Sequence, residues 1–197
     1  MKRFCLALAL ILLLSSAASA GGITCGVKAG INLADLTGDD IENNEMKLAF
    51  GGGIFCNFAI TDVISIQPEV LFMMKGTKSS VLENTGYHFT YIDIPLLARF
   101  SVPTEGSLVP SFFGGPYLGF LMSATAERAL VEEDIKESLK DTDYGLVFGA
   151  GLDYRVGDGH VFLDIRYSFG LTTIVDEGDE DAKNTGIMFM LGYGYTF

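Results

Sequence analysis

The chain has 197 residues, a formal net charge of −12 and a mean hydropathy of +0.34. So acidic a chain offers no basic patch to phosphates and no polybasic segment to anionic headgroups, which excludes nucleic acid and an electrostatic membrane anchor. Beyond the N-terminus no run of ~18 successive apolar residues occurs, so the hydropathy does not come from membrane-spanning helices.

The first predicted element is a leader. Lys2 and Arg3 precede an apolar run from Phe4 to Leu14, and Ser15, Ser16, Ala17, Ala18, Ser19 and Ala20 follow. A basic start, a short apolar core and a small-residue ending are expected of a secretory signal peptide over 1–20, cut before Gly21. The run is too short for an anchored helix of ~20 residues. Cys25 makes a poor lipoprotein acceptor, because Gly-Ile-Thr precedes it without a small residue next to the cysteine. What remains, 21–197, is expected to be one exported domain.

Eight strand-like segments follow, over 23–36, 47–60, 64–80, 89–103, 110–127, 141–156, 160–174 and 184–197. Their length exceeds the five or six residues usual in soluble sheets and matches tilted strands that cross a bilayer. Three connectors are short, at 61–63, 104–109 and 157–159, and four are longer and acidic, at 37–46, 81–88, 128–140 and 175–183. Short and long alternate strictly, so every long connector falls at one end of an up-and-down sheet, as in outer-membrane barrels. The fold class expected is therefore all-β: an eight-stranded antiparallel up-and-down transmembrane β-barrel after a cleaved signal peptide. Glycines at 51–53, 114–115, 145, 149, 151, 192 and 194 sit inside apolar alternation, where they would relieve crowding in a narrow barrel.

Period-two patterning assigns the faces. Ile92, Ile94, Leu96, Ala98 and Phe100 share one face of the fourth segment, Tyr144 through Tyr154 at even numbers the sixth, and Val161, Leu163, Ile165, Tyr167 and Phe169 the seventh. Ile187, Phe189, Leu191, Tyr193, Tyr195 and Phe197 do the same in the last. On the opposite faces lie Lys28 and Asn32, Gln67 and Glu69, Asp93 and Arg99, Asp153 and Arg155, and Asp164 and Arg166. Of these, Lys28, Glu69, Asp93, Arg99, Asp153, Arg155, Asp164 and Arg166 are expected to form a charge network filling the lumen. Eight strands leave room for little but side chains, and a buried charge without a partner would cost several kcal/mol.

Several stretches resemble a known family. "GVKAGINLADL", "ISIQPEVLFMMKGT", "YIDIPLLARF", "FFGGPYLGFLMSA" and the closing aromatic strand are similar to the porin-family outer-membrane β-barrel domain, from about Gly26 to Phe197. The resemblance implies an eight-stranded barrel in the bacterial outer membrane without implying a shared activity. It also implies that Tyr195 and Phe197 serve as the closing signal read by the barrel-assembly machinery.

For function, the residues favour a monomeric barrel with a structural or surface-interacting role, in contact with outer-membrane lipid and lipopolysaccharide. An extracellular ligand would engage loops 37–46, 128–140 and 175–183. The alternative is a narrow, low-conductance porin-like channel for ions or small solutes. A lipid-modifying enzyme is a weaker alternative, since the two histidines, His88 and His160, fall at opposite ends, and His160 lies about 26 Å of strand from Ser168. His88 with Ser79 or Ser80 is the remaining nucleophile–base combination, so no catalytic residue is assigned. The acidic runs Asp39-Asp40-Glu42-Glu45, Glu132-Glu133-Asp134-Glu137 and Asp176-Glu177-Asp179-Glu180-Asp181 lack a cation-loop register and read as solvated loops. No metal and no cofactor are expected. Leu130, Val131, Ile135 and Leu139 have the spacing of a short amphipathic helix over the barrel mouth. Cys25 and Cys56 fall on adjacent strands, where a bridge is feasible, although two small apolar residues facing lipid is the favoured reading.

Overall fold

The computed structural model of the chain describes residues 22–38, 44–79, 85–128, 131–176 and 181–197. The leader expected over 1–20 lies outside these residues, as do Asp39, Asp40, Glu42, Ser80, Leu130, Glu177, Asp179 and Glu180. Eight long strands form the wall: β1 Ile23–Thr37, β2 Lys47–Ala59, β3 Ile64–Ser79, β4 Thr85–Ser101, β5 Leu108–Arg128, β6 Thr142–Val156, β7 Gly159–Gly170 and β8 Lys183–Thr196. Each pairs antiparallel with its sequence neighbours, and β1 pairs with β8 from Thr24 opposite Thr196 to Thr37 opposite Lys183. The sheet is thereby closed, with no free edge to leave backbone groups unsatisfied in lipid.

Burial shows which face is outside. Phe50 is 58% exposed, Leu191 60% and Leu163 46%, whereas Arg166, Asp164 and Glu69 are 2% exposed or less. A soluble protein reverses this order, so lipid is the solvent of the outer face. Small residues make the narrow interior fit: a Cβ on Gly151 would come within 2.5 Å of Asp164 Oδ1 and 2.6 Å of Arg99 Nη2. At the mouth, Gly76 holds φ at +119°, a backbone state that favours glycine.

Two elements depart from expectation at the end that carries the long loops. The stretch expected as an amphipathic helix is a short strand, Val131–Asp134, paired with the end of β5, followed by a three-residue 3-10 turn, Lys136–Ser138. Val131, Ile135 and Leu139 recur every fourth residue, as in a helix, but pairing with the end of β5 satisfies the backbone of Val131–Asp134 in an extended hairpin. Segment 160–174 leaves the wall at Gly170: Leu171 and Thr172 are exposed, and Ile174 then packs into the buried cluster at the mouth.

Three prolines interrupt the ladder. Paired positions skip from Phe55/Glu69 to Phe58/Ile66 between β2 and β3, from Pro68/Leu96 to Leu71/Asp93 between β3 and β4, and from Pro95/Tyr117 to Ala98/Gly114 between β4 and β5. Each gap contains one of Pro68, Pro95 and Pro116, whose rings supply no N–H for the bond. The first gap is bridged by side chains, with Asn57 Nδ2 donating to Ser65 Oγ at 2.9 Å and to Gln67 Oε1 at 3.1 Å.

Beside that gap Cys25 and Cys56 stand directly opposite each other, and they are joined by a disulfide with a Cα–Cα distance of 4.1 Å. This corrects the favoured sequence reading of two unpaired residues facing lipid. Parity placed them on one face, but only the register of β1 against β2 puts them at the same level. Closing a chain segment of this length constrains the unfolded state by about 3–4 kcal/mol on the entropy model. We therefore expect Cys56→Ser to lower the urea midpoint of the micelle-bound barrel, and reduction of the wild type to reproduce the loss. Identical midpoints in all three samples would show that the bridge adds nothing.

Candidate functional site: the charged lumen

Successive inward residues of β3 read Ser65, Gln67, Glu69, Leu71, Met73, Lys75 and Thr77, and this single row spans the layers of the interior. Nearest the short turns is a cluster of six charges. Glu69 Oε1 accepts from Lys28 Nζ at 2.8 Å, and both Glu69 oxygens accept from Arg166, at 2.7 and 3.0 Å. Asp164 Oδ2 accepts from Arg166 Nη2 at 2.7 Å and from Lys28 at 3.3 Å. Arg99 links this centre to the turn end, 3.4 Å from Asp164 and 2.7 Å from Asp153. Three cations thus face three carboxylates. Aromatic faces complete the cage, with Lys28 Nζ 4.8 Å from the Phe55 centroid and Arg166 Cζ 4.9 Å from that of Phe113.

An apolar layer follows, built from Leu71, Met73, Met188 and Met190 on one side and Leu97, Phe113, Tyr117 and Val147 on the other. Above it sits a second charged group. Lys75 Nζ lies 2.9 Å from Asp93 Oδ2 and 3.2 Å from Asp143 Oδ2, while Tyr117 and Asn184 each donate to Asp143 Oδ2 at 3.0 Å. Here one cation serves two carboxylates.

The loop end is covered by an apolar cap. Leu36, Phe89, Tyr91, Leu121, Ala124 and Ile174 form a buried cluster, against which Ile135, Leu139 and Ala182 pack. The two loops that supply the cap are joined to each other: Lys140 N donates to Ile174 O at 2.8 Å and Asp176 N to Ser138 O at 3.2 Å. At the turn end, by contrast, the lumen opens into a vestibule of about 470 Å³ that reaches Arg99.

Among the eight residues expected to form one network, Lys28, Glu69, Arg99, Asp153, Asp164 and Arg166 meet in the first cluster. Asp93 belongs to the separate group around Lys75. Arg155 corrects the expectation: it is exposed at the vestibule rim and takes part in no ion pair among the described residues. It shares the parity of Asp153, but it lies one step beyond the enclosed part of the strand. Lys75, Asp143, Tyr117 and Asn184 were missed. The first two share the parity of Glu69 and Asp153, and lie six and ten residues further toward the loops on the same strands.

The histidines lie apart. His88 contacts Lys47 Nζ through Nδ1 and Glu127 at 3.2 Å through Nε2, at the loop end. His160 Nε2 stands 3.4 Å from Asp153 Oδ1 at the turn end. The hydroxyl partners suggested for His88, Ser80 and the side chain of Ser79, fall outside the described residues. Among the described residues no group of His, Cys, Asp and Glu could hold a metal ion.

Residues 15–176 match the model of a family described as outer membrane protein beta-barrel domain. Solved structures of similar fold include Neisserial surface protein A, 14% identical, covering 90% of this chain and 99% of that one with a TM-score of 0.55. OprG from Pseudomonas aeruginosa is 13% identical, with 90% and 96% covered and a TM-score of 0.54. Outer Membrane Protein W of E. coli is 14% identical, with 90% and 98% covered and a TM-score of 0.52. At such identities the likeness carries the fold alone. One stretch of 114 residues is 22% identical to Glucosyltransferase-I of Streptococcus downei, covering 56% of this chain and 7% of that protein. The chain thus spans less than a tenth of that relative's length, and no activity transfers with the match.

Proposed function

The chain belongs to the outer membrane protein beta-barrel domain family and resides in the bacterial outer membrane, and from that premise we propose a closed, monomeric barrel with a structural or surface-interacting role. In this reading the short turns face the periplasm and the long acidic loops face outward. What carries it is the stacking of barriers inside the wall: a neutral six-charge cluster, an apolar layer, the Lys75 group and the apolar cap. A hydrated ion would have to displace ion pairs and then cross two apolar layers. Recognition is left to the loops, where Glu132, Glu133, Asp134 and Glu137 are exposed, and where a partner or lipopolysaccharide could be met. Tyr195, on the closing strand, and the 79% exposed Phe197, just past its end, are proposed as the assembly signal.

Purified protein in planar bilayers is expected to give a flat baseline without steady openings. Sustained channels of sizeable conductance from the pure protein would overturn the closed-barrel reading. They would favour the second one, a narrow low-conductance channel, to which the open vestibule lends support. Catalysis forms no part of the proposal: His88 contacts Lys47 and Glu127 at the loop end and His160 contacts Asp153 at the turn end, so the two histidines do not share a site.

A further inference from the structure

We propose that the upper lumen holds one monovalent alkali cation, of the sodium class, beside Asp143. Two independent counts at this level fall short in the same sense. The first is of charge. Lys75 pairs with both Asp93 and Asp143, so one carboxylate stands in excess. The next cations toward the loops do not cancel it: Lys47 contacts Tyr87 O and His88, and Lys183 pairs with Asp181. The second count is of hydrogen bonds. Among the described residues five buried side-chain polar atoms lack a partner, and four of them are the oxygens Asn32 Oδ1, Tyr91 Oη, Asp143 Oδ1 and Asn184 Oδ1. These residues surround Lys75. Asn32 donates to Met74 O at 2.9 Å, the Tyr91 centroid lies 4.6 Å from the Lys75 ammonium, and Asn184 donates to Asp143 Oδ2. The lower cluster shows the contrast: its three cations meet three carboxylates, and its one orphan, Arg166 Nε, is a donor.

A buried acceptor without a donor is costly, and more so when it carries charge. A bridging water would donate to two of these oxygens but leave the excess charge. A proton on Asp143 would remove the charge but serve one acceptor at most. A cation answers both counts, because it takes several oxygens at once. The excess is one charge, so a monovalent ion balances it, whereas calcium would reverse the imbalance and asks for about six to eight oxygens. Asp143 Oδ1 supplies the charged ligand, and Asn184 Oδ1 and Tyr91 Oη are neutral oxygens, a donor set that lies outside the usual His, Cys, Asp and Glu clusters. Asp143 and Tyr91 are fully enclosed and Asn184 is 2% exposed. Gly170 leaves the room: a Cβ there would stand 3.3 Å from Asp143 Oδ1 and 3.3 Å from Asn184 O. The site lies between the apolar cap and the apolar layer, so the ion is held and not passed along the barrel.

The test refolds the isotope-labelled barrel into detergent micelles over a series of sodium chloride concentrations, with choline chloride holding the ionic strength constant. Choline is too large for an enclosed site. Sodium is expected to shift the backbone amides of Asp143, Gly170 and Asn184 saturably, and to raise the urea midpoint by an equal step for each further tenfold rise. Asp143→Asn should weaken sodium about tenfold or more, the scale of one charged ligand. Gly170→Ala should do the same while leaving every charge in place, and heat-modifiable gel mobility checks that both variants are folded. Equal midpoints in sodium and choline overturn the proposal, as does a sodium response that survives in Asp143→Asn. A midpoint that rises as the pH falls, with no dependence on sodium, overturns it too, since a proton would then cancel the excess carboxylate. Conductance enters none of these readouts, so the closed-barrel reading stands or falls separately.

Discussion

A Glu69→Ala barrel is expected to lose about 3–5 kcal/mol of stability, the range seen when one side of a buried ion pair is removed. Glu69 is 2% exposed and its two oxygens accept four hydrogen bonds: one from Lys28, two from Arg166 and one from Gln67 at 2.7 Å. Its removal leaves Lys28, Arg99 and Arg166 to share Asp153 and Asp164. The deficit is then one of charge as well as contact, and that distinguishes it from a cavity. Adding Lys28→Met to Glu69→Ala restores two cations against two carboxylates. The double variant should therefore be more stable than Glu69→Ala alone, with a coupling of roughly 1–3 kcal/mol between the sites. Urea midpoints in one detergent, read by gel mobility, would report both. Strictly additive losses would mean that the six charges do not act as a unit.

The pattern behind that cluster was written in the sequence, and the limit of the pattern is equally informative. Alternation with period two gave the lumen parity of Glu69, Asp93, Arg99, Asp164 and Arg166, because a one-residue slip would turn every strand inside out. Parity fixes a face but not a height. Arg155 and Asp153 have the same parity, yet one lies at the rim and the other in the enclosed lumen. Asp93 likewise shares a strand face with Arg99, but it answers to Lys75 and not to the lower cluster. Heights depend on the stagger between strands, which no single strand encodes.

The same distinction explains the remaining differences. Cys25 and Cys56 needed the β1–β2 register to be recognised as a bridge. The cap was visible only in outline, since Ile135 and Leu139 announced an apolar face without naming Ile174, which arrives from another loop. His88 was weighed with serines close in sequence. Those side chains lie outside the described residues, and the contacts His88 makes among the described ones are Glu127 and Lys47, the latter reached from β2 across the strand between them.

Lys75→Met should be the most damaging substitution in the upper lumen, and Asp143→Asn a mild one. Lys75 is the cation between Asp93 and Asp143, with 6% of its side chain exposed, and its ammonium also lies 4.6 Å from the Tyr91 and Tyr117 ring centroids. Methionine fills similar space against those rings but leaves two carboxylates facing each other without a counter-charge. Asp143 would retain its bonds from Tyr117 and Asn184, and Asp93 would keep no ion pair among the described residues. A loss of about 3–5 kcal/mol follows, as for any buried charge stripped of its partner. Asp143→Asn acts in the opposite direction. It removes the surplus carboxylate and leaves Lys75 and Asp93 as a balanced pair at 2.9 Å. Its cost should be about 1 kcal/mol, that of rearranging one neutral hydrogen bond. Comparing the two midpoints separates charge balance from packing. If Asp143→Asn proves as costly as Lys75→Met, the upper group depends on its hydrogen-bond geometry, and the count of charges does not govern it. If Asp93→Asn and Asp143→Asn together rescue Lys75→Met, the count does govern it, and a barrel this narrow tolerates polar residues only when their charges sum to nearly zero.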